Sequence, residues 1–562
     1  MSKTHSVRVE FDLPGDDARL LVSKTLERLD AKEVNKRLWE HDHTLWSSSA
    51  DDIANRLDWL HTPVTFAGQI GELERFAQEV RADGIRQAVL LGMGGSSLAP
   101  EVFSRAFGTQ PGGIPLRIIG TTHPDAILAL IDRLDPAATL FLVATKSGTT
   151  IETRSLFQTC YNLVRRVLPF SECGKRFVAI TDPGSPLAAL AEQFSFRRVF
   201  LSNPNLGGRY SAISHFGLVP AAILGVDLEQ LLDRAQAMTG ACAAARTADE
   251  SPGAQLGSVL GAFASAGRNK LTVLPSIELP GLDDWLEQLI AESVGKSGKG
   301  IVPVVGEPEL ELSLYGSDRL FVDIEVGESD VLHRVRCREL TDAGHPLIRI
   351  HAKDLLDLGG LFVLWEVATA VVGHILQVHP FNQPDVEAAK HRAREAVAAF
   401  REHGEVPRLV QDPADLEAAA AQLRKLLEST PPDGYVAIQA YLPSPPDTET
   451  SALLMEMRAA ISRKTRCATT VGYGPRFLHS TGQLHKGGPD SGRFVQLLSA
   501  PKKDLPIPDE PGSEKASLTF ATLLAAQAVG DRQALEDAGR SVVSIGLGSK
   551  PLDDLRKIVA CL

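Results

Sequence analysis

Short apolar runs alternate with stretches of helical spacing along most of this chain. From about residue 66, runs at 88–91, 116–119, 140–144, 177–180 and 198–201 read as buried strands. Helical patterns at 98–107 and from Ile151 to about Leu168 separate them. Alternation of this kind predicts a doubly wound, largely parallel α/β sheet. A second series over 246–404 predicts helices at 256–266 and 281–294, strands at 270–274, 321–325 and 346–350, and a long apolar helix from Leu361. A third α/β section over 405–562 carries strand-like runs at 435–440, 469–473, 494–498 and 542–545, with helices at 452–463 and 518–529. Pro-rich stretches at 431–446 and 501–511 punctuate it. Residues 1–65 are polar, with Leu20, Leu21, Leu26 and Leu29, then Ile53, Leu57 and Leu60, at helical spacing. That pattern predicts a helical entry arm packed on the first unit, which spans 66–245.

Composition narrows the function. A chain of 562 residues holds more than one core, since single cores stop growing at roughly 250–300 residues. With 70 acidic against 58 basic residues the net charge is −12, which argues against a nucleic-acid or anionic-membrane surface. The apolar run 361–378 contains Glu366 and His374 and suits a buried helix better than a membrane span. The six cysteines form no C-x-x-C pair, so neither a zinc site nor a disulfide framework is indicated and a reducing cytoplasm is the expected compartment. The N-terminus has no apolar signal core.

Two strand-to-helix junctions carry anion chemistry. The sequence TKSGTTIET at 145–153 follows a buried strand and opens a helix. Helix-start N–H groups are unpaired and partly positive. Ser147, Thr149 and Thr150 add O–H donors and Lys146 a full charge, a set suited to a phosphate ester. The alternative is a hydroxyl-rich N-cap that binds nothing. GMGGSS at 92–97 offers glycines for close approach and hydroxyls for donation, or simply a tight turn. It lacks the third glycine of a dinucleotide fingerprint. In a doubly wound sheet both loops lie at the carboxyl ends of strands, where ligands bind.

Four further stretches hold groups that act on protons or negative charge. Arg209, held after Gly207 and Gly208, can face a developing anion or sit on the surface. Gln288 and Glu292 share one face of a helix, off the apolar stripe, as base and positioning partner or as a solvated face. Gln383 and Lys390 lie about two helical turns apart around Pro384. Residues 477–488, FLHSTGQLHKGG, place His479 and His485 among hydroxyls and glycines, where either can move protons near neutral pH. Two histidines without a third ligand are weak evidence for a metal.

Taken in order, GMGGSSLAP, TKSGTTIET, GGRYSAISHFGLVPA, EQLIAESVGK and PFNQPDVEAAK resemble the phosphoglucose isomerase family over about residues 40–400. The GPRFLHSTGQLHKGG segment and the early RLWEHDHTLW and RLDWLHTP segments resemble the isomerase half of bifunctional transaldolase/phosphoglucose isomerase proteins. No transaldolase barrel precedes them here, so transaldolase activity is not expected. The resemblance implies two sugar-phosphate-binding (SIS-type) α/β domains. It also implies interconversion of glucose 6-phosphate and fructose 6-phosphate without metal or organic cofactor.

Carried over by motif, Ser96, Lys146, Ser147 and Thr150 hold the phosphate, with Gly95 and Thr145 lining the loop. Glu292 is the base between C1 and C2, and Arg209 stabilises the enediolate. Gln288, Gln383 and Glu152 position the sugar, and Lys390 with a histidine opens the ring. In the family's usual order that histidine lies between the glutamate and the lysine. Here His333 is the one histidine between Lys299 and His345 and its context does not match, whereas an L-H-S-x-G-Q string appears at 478–483. His479 is therefore the expected ring opener, with His485 second. Usual members take this histidine from the neighbouring subunit; the changed order suggests supply within one chain. A homodimer is expected, with a monomer as the alternative, and no nucleic-acid or membrane partner. Two rival readings are a dual phosphoglucose/phosphomannose isomerase and a non-catalytic sugar-phosphate sensor.

Overall fold

Thr139–Ala144 is buried at all six positions. Parallel strands covered by helices on both faces need such continuous apolar runs. In the computed structural model, which describes residues 5–274, 276–328, 331–387, 392, 395, 397–398 and 416–562, this strand is the centre of a five-stranded parallel sheet. The order is Leu116–Ile119, Gln87–Gly92, Thr139–Ala144, Phe177–Thr181, Arg198–Leu201. The chain reverses direction across the sheet between Gln87–Gly92 and Thr139–Ala144, so the loops leaving these two neighbours flank the switch point where doubly wound sheets bind ligands.

A second five-stranded sheet runs Arg8–Asp12, Leu347–Ala352, Arg319–Val326, Lys270–Val273, Val302–Val304. Arg8–Asp12 is antiparallel to its neighbour and the remaining pairs are parallel. This corrects the reading of residues 1–65 as a helical arm on the first unit. The arm opens with a strand that completes the second sheet, and helix Gly15–Ala31 packs against Pro252–Ser265. The alternation Val-Glu-Phe is too short a period-2 signal to stand out from sequence. Helices Leu228–Ala244 and Val331–Asp342 and the strand Val302–Val304 were also outside the expected set.

Helix Leu358–Leu376 packs between Pro252–Ser265 and Leu228–Ala244. By length and composition the stretch Leu355–Leu376 is apolar enough to cross a membrane, but it is 89% buried inside the protein. Glu366 lies within it, and burial pushes its carboxyl well above the ordinary range, because desolvation disfavours the charged form.

The C-terminal section forms a four-stranded parallel sheet in the order Ala468–Tyr473, Tyr435–Tyr441, Gly492–Ser499, Ser541–Leu547. Two apolar clusters build it into the rest of the molecule. Tyr435, Ala437, Ala468, Leu484 and Phe494 share one apolar cluster with Ala291, Val302 and Val304. Ile507, Leu518, Phe520 and Leu523 enter the core of the first unit beside Leu156, Phe157 and Tyr161. Buried Arg458 ties the first junction, donating Nη2 to the carbonyls of Val305 at 3.0 Å and Thr469 at 2.6 Å.

Candidate active site

The helix Leu282–Val294 is buried on every face, so its polar side chains must find partners inside the protein. Glu292 finds two. Arg209 Nη1 lies 2.7 Å from its Oε1, and Gln288 Nε2, one turn earlier, donates to its Oε2 at 3.0 Å. Glu292 is 6% exposed and Arg209 5%, so the pair interacts at a lower effective dielectric than a surface ion pair. Arg209 comes from the short turn Gly208–Tyr210. It is held from the other side by the segment after the long core helix, donating to Pro380 O at 3.1 Å, Asn382 O at 3.2 Å and the exposed Gln383 side chain at 3.1 Å.

The glycines of the 92–97 loop let this assembly close. A Cβ on Gly95 would stand 2.1 Å from Gly208 O, and one on Gly94, which has φ +51, would stand 2.8 Å from both Gln288 Nε2 and His479 O. Three chain segments thus meet backbone to backbone, where any side chain would hold them apart. Gln288 also donates to His479 O at 2.7 Å, so the amide beside the base seats the segment carrying the histidine.

His479 ends the turn Arg476–His479, which follows the edge strand of the C-terminal sheet. Its Nε2 lies 2.9 Å from Glu152 Oε1, so a residue from the end of the chain faces one from the start of helix Ile151–Arg165. Arg476 anchors the turn to the first unit through Glu101, 2.7 Å away. The other candidates lie elsewhere. The His485 ring is buried in the C-terminal core, Nδ1 3.4 Å from Gln439 Nε2 and packed on Phe494, and burial lowers its pKa well below the ordinary value. His333 bonds Asp323 at 2.5 Å, with Cys337 on the other oxygen. Lys390 lies outside the described residues.

The loop at 145–150 stands at the carboxyl end of the central strand. Thr150 is the N-cap of Ile151–Arg165, but its side chain makes no cap bond; its hydroxyl pairs with that of Thr145 at 2.9 Å. The first-turn N–H groups therefore keep their donor capacity, which separates this loop from an ordinary capped start. Ser147 and Thr149 are exposed and bond each other at 2.8 Å, and Ser96 is half-buried on the neighbouring loop. Lys146 pairs with Asp182 and donates to Pro204 O at 3.2 Å. Burial lowers the lysine's pKa against the raising pull of Asp182, and burial raises that of Asp182: for both partners desolvation outweighs the attraction.

Several residues in this arrangement went unnoticed in the sequence. Lys296, 3% exposed, donates Nζ to His379 O and Asn382 O, each at 2.5 Å, and so holds the segment that holds Arg209. Gln527 donates to Glu152 Oε1 at 2.7 Å. Lys296 stands in the glycine-rich stretch after Glu292, a position that could have drawn attention. Gln527 stands in an Ala- and Leu-rich helix with no local signal.

Comparison with known proteins points to one family. Residues 71–301 match the family model described as phosphoglucose isomerase. The glucose-6-phosphate isomerase of Rubrobacter xylanophilus is 33% identical over 368 residues, 56% of this chain and 83% of that protein. That of a Cyanothece species is 26% identical over 447 residues, 70% of this chain and 79% of that one. A crystal structure of a glucose-6-phosphate isomerase from Chlamydia trachomatis shares the fold, with TM-score 0.55 and 19% identity over 75% of this chain and 92% of that one. A hypothetical protein from Thermus thermophilus does so with TM-score 0.59 and 24% identity, over 70% of this chain and 100% of that one. The chain belongs to the glucose-6-phosphate isomerase family.

Proposed function

We propose that the protein interconverts glucose 6-phosphate and fructose 6-phosphate, with Glu292 as the base that carries the proton between C2 and C1. The observation supporting this reading most directly is the buried Glu292, bonded on one oxygen by Arg209 and on the other by Gln288. A proton on a carbon next to a carbonyl is too weakly acidic for a carboxylate alone. The charge left on the oxygen needs a cation already in place, and Arg209 supplies it.

The phosphate sits on the loop 145–150, against the first-turn N–H groups, the hydroxyls of Ser147 and Thr150, Lys146 and, across the pocket, Ser96. Thr145 and Gly95 line it, and Gln288 and Gln383 position the sugar. With Nε2–H given to Glu152, the His479 imidazole presents Nδ1 as a proton acceptor. In opening the pyranose, the O1 proton leaves to this imidazole, a proton reaches O5, and the C1–O5 bond breaks. Glu292 then removes the C2 proton to leave the enediolate, which Arg209 balances. Return of the proton at C1, with the O2 proton passed to O1, gives the ketose. Lys390 is the expected second ring-opening group. Gln288 bonds both Glu292 and the backbone of His479 within one chain, which supports supply of the histidine from the same chain.

The test is a coupled assay of glucose 6-phosphate formation from fructose 6-phosphate in EDTA, with E292Q alongside. Turnover by the parent and its loss in E292Q, with substrate binding kept, is the expected result. An E292Q protein that isomerises at the parent rate would overturn the assignment of the base.

A further inference from the structure

We propose that Gln527 is a positioning residue for the Glu152–His479 pair, with Thr122 holding its amide oxygen. The proposal rests on the reading of His479 as a ring-opening residue whose imidazole is held by Glu152. Glu152 Oε1 accepts from two sides, His479 Nε2 at 2.9 Å and Gln527 Nε2 at 2.7 Å. A glutamine amide can present either end, but here the choice is made. An ionised carboxylate only accepts, so Glu152 takes the NH2 end, and Thr122 Oγ1 donates to the Oε1 left facing it at 2.9 Å. All three are out of solvent: Thr122 is 0% exposed, Gln527 3% and Glu152 4%. The Glu152 carboxylate is therefore held largely away from bulk solvent.

Gln527 comes from helix Phe520–Asp537 of the C-terminal section. Asp531, one turn further on, faces the same way and bonds Lys486 Nζ at 2.6 Å. Lys486 lies in the helix Gly482–Gly487 that follows His479. One helix thus grips the histidine segment through Asp531 and fixes the histidine's partner through Gln527. Gln527 touches no reacting atom; it acts through Glu152. A donor on a carboxylate favours the charged form, so Gln527 keeps Glu152 ionised, and an ionised Glu152 holds the His479 tautomer whose Nδ1 accepts a proton.

The experiment measures kcat and KM for fructose 6-phosphate across pH in Q527A, Q527E, T122V and T122S, with E152Q and H479A in the same series. In Q527A kcat is expected to fall about 10–100-fold, the range outer partners of functional side chains carry in metal sites. KM should move less than about threefold on the same basis, because the phosphate grip is untouched. The acidic limb of the pH profile should move to higher pH. Q527E should move it further, since two carboxyls then share the site. T122V should shift the limb in the same direction by less, and T122S should restore it.

If E152Q and H479A lose activity but Q527A keeps the parent's acidic limb and kcat, Gln527 is a packing residue and the proposal fails. If E152Q and H479A are themselves fully active, the ring-opening assignment has failed instead. Should Q527A not fold, the contrast between T122V and T122S decides: equal pH profiles in those two overturn the proposal.

Discussion

Arg209 and Glu292 meet 2.7 Å apart, through Nη1 and Oε1, with both side chains nearly closed to solvent. The guanidinium is not a free point charge: its other contacts run to Pro380 O, Asn382 O and Gln383. Arginine's planar fork makes several such bonds at once, and a lysine ammonium of similar reach cannot reproduce them. R209K is therefore expected to lower kcat/KM by roughly 100-fold or more, on the scale of removing an oxyanion-stabilising donor. E292Q should lower kcat by about 100–10,000-fold, the contribution of a positioned general base, with little change in binding. Steady-state kinetics and substrate-induced thermal shift check both. An R209K enzyme within about twofold of the parent would remove Arg209 from the chemistry on that scale.

If Lys146 holds the phosphate as proposed, its pairing with Asp182 should make that binding sensitive to pH. Burial lowers the Lys146 pKa and Asp182 raises it. D182N removes the raising partner, so the lysine loses its proton at lower pH than in the parent. KM for fructose 6-phosphate should then climb more steeply from neutral to alkaline pH in D182N, with kcat less affected. K146A should raise KM at every pH and leave no alkaline rise of this origin. A D182N profile parallel to the parent's would show that Lys146 does not hold the phosphate.

How much of this was legible beforehand follows the range of the interactions. The inner strands of the first sheet announce themselves as apolar runs, the edge strands Leu116–Ile119 and Arg198–Leu201 as short runs carrying one arginine each, and both candidate ligand loops follow from that local pattern. Glu292 and Gln288 share a helix face by spacing alone. The pairing of Glu292 with Arg209 and of Glu152 with His479 is long-range, and only motif likeness suggested it. Arg8–Asp12 was missed because an antiparallel edge strand of five residues depends on its neighbour Leu347–Ala352 more than on its own sequence. Gln527 and Thr122 were missed for the same reason: each is ordinary in its own element and acquires a role only where the C-terminal section closes on the first unit.

The placement of His479 and Glu292 in one chain predicts the outcome of mixing variants. If each chain carries a whole site, E292Q and H479A chains, mixed and re-equilibrated, should show no more activity than the two alone. Recovery approaching a quarter of the parent would show that the histidine is exchanged between subunits. H485N provides the contrast between the two histidines. His485 sits in the C-terminal core against Phe494 and Tyr435, so its replacement should lower the melting temperature while the folded fraction keeps its kcat.

Glu287 gives the stability of the site a pH dependence of its own. It precedes Gln288, is 8% exposed, and accepts from Ser480 Oγ at 3.4 Å. Burial, with Asp284 adding to it, pushes its carboxyl from 4.5 up to about 8. In the unfolded chain the same group titrates near its ordinary value, so between about pH 4.5 and about 8 the folded state holds a proton that the unfolded state has released. Stability therefore falls as pH rises through that window. Each unit of pKa difference is worth about 1.4 kcal/mol, so the full loss is on the order of a few kcal/mol. E287Q replaces the neutral acid with a neutral amide of the same shape. It should melt with the parent at the acidic end and above it at the alkaline end, and the difference between the two melting temperatures should grow with pH. The same ionisation would place a charge opposite Ser480, next to the bond from Gln288 that seats His479, so E287Q should also retain activity at an alkaline pH where the parent loses it. A melting difference that stays flat across the window would mean that Glu287 titrates outside it.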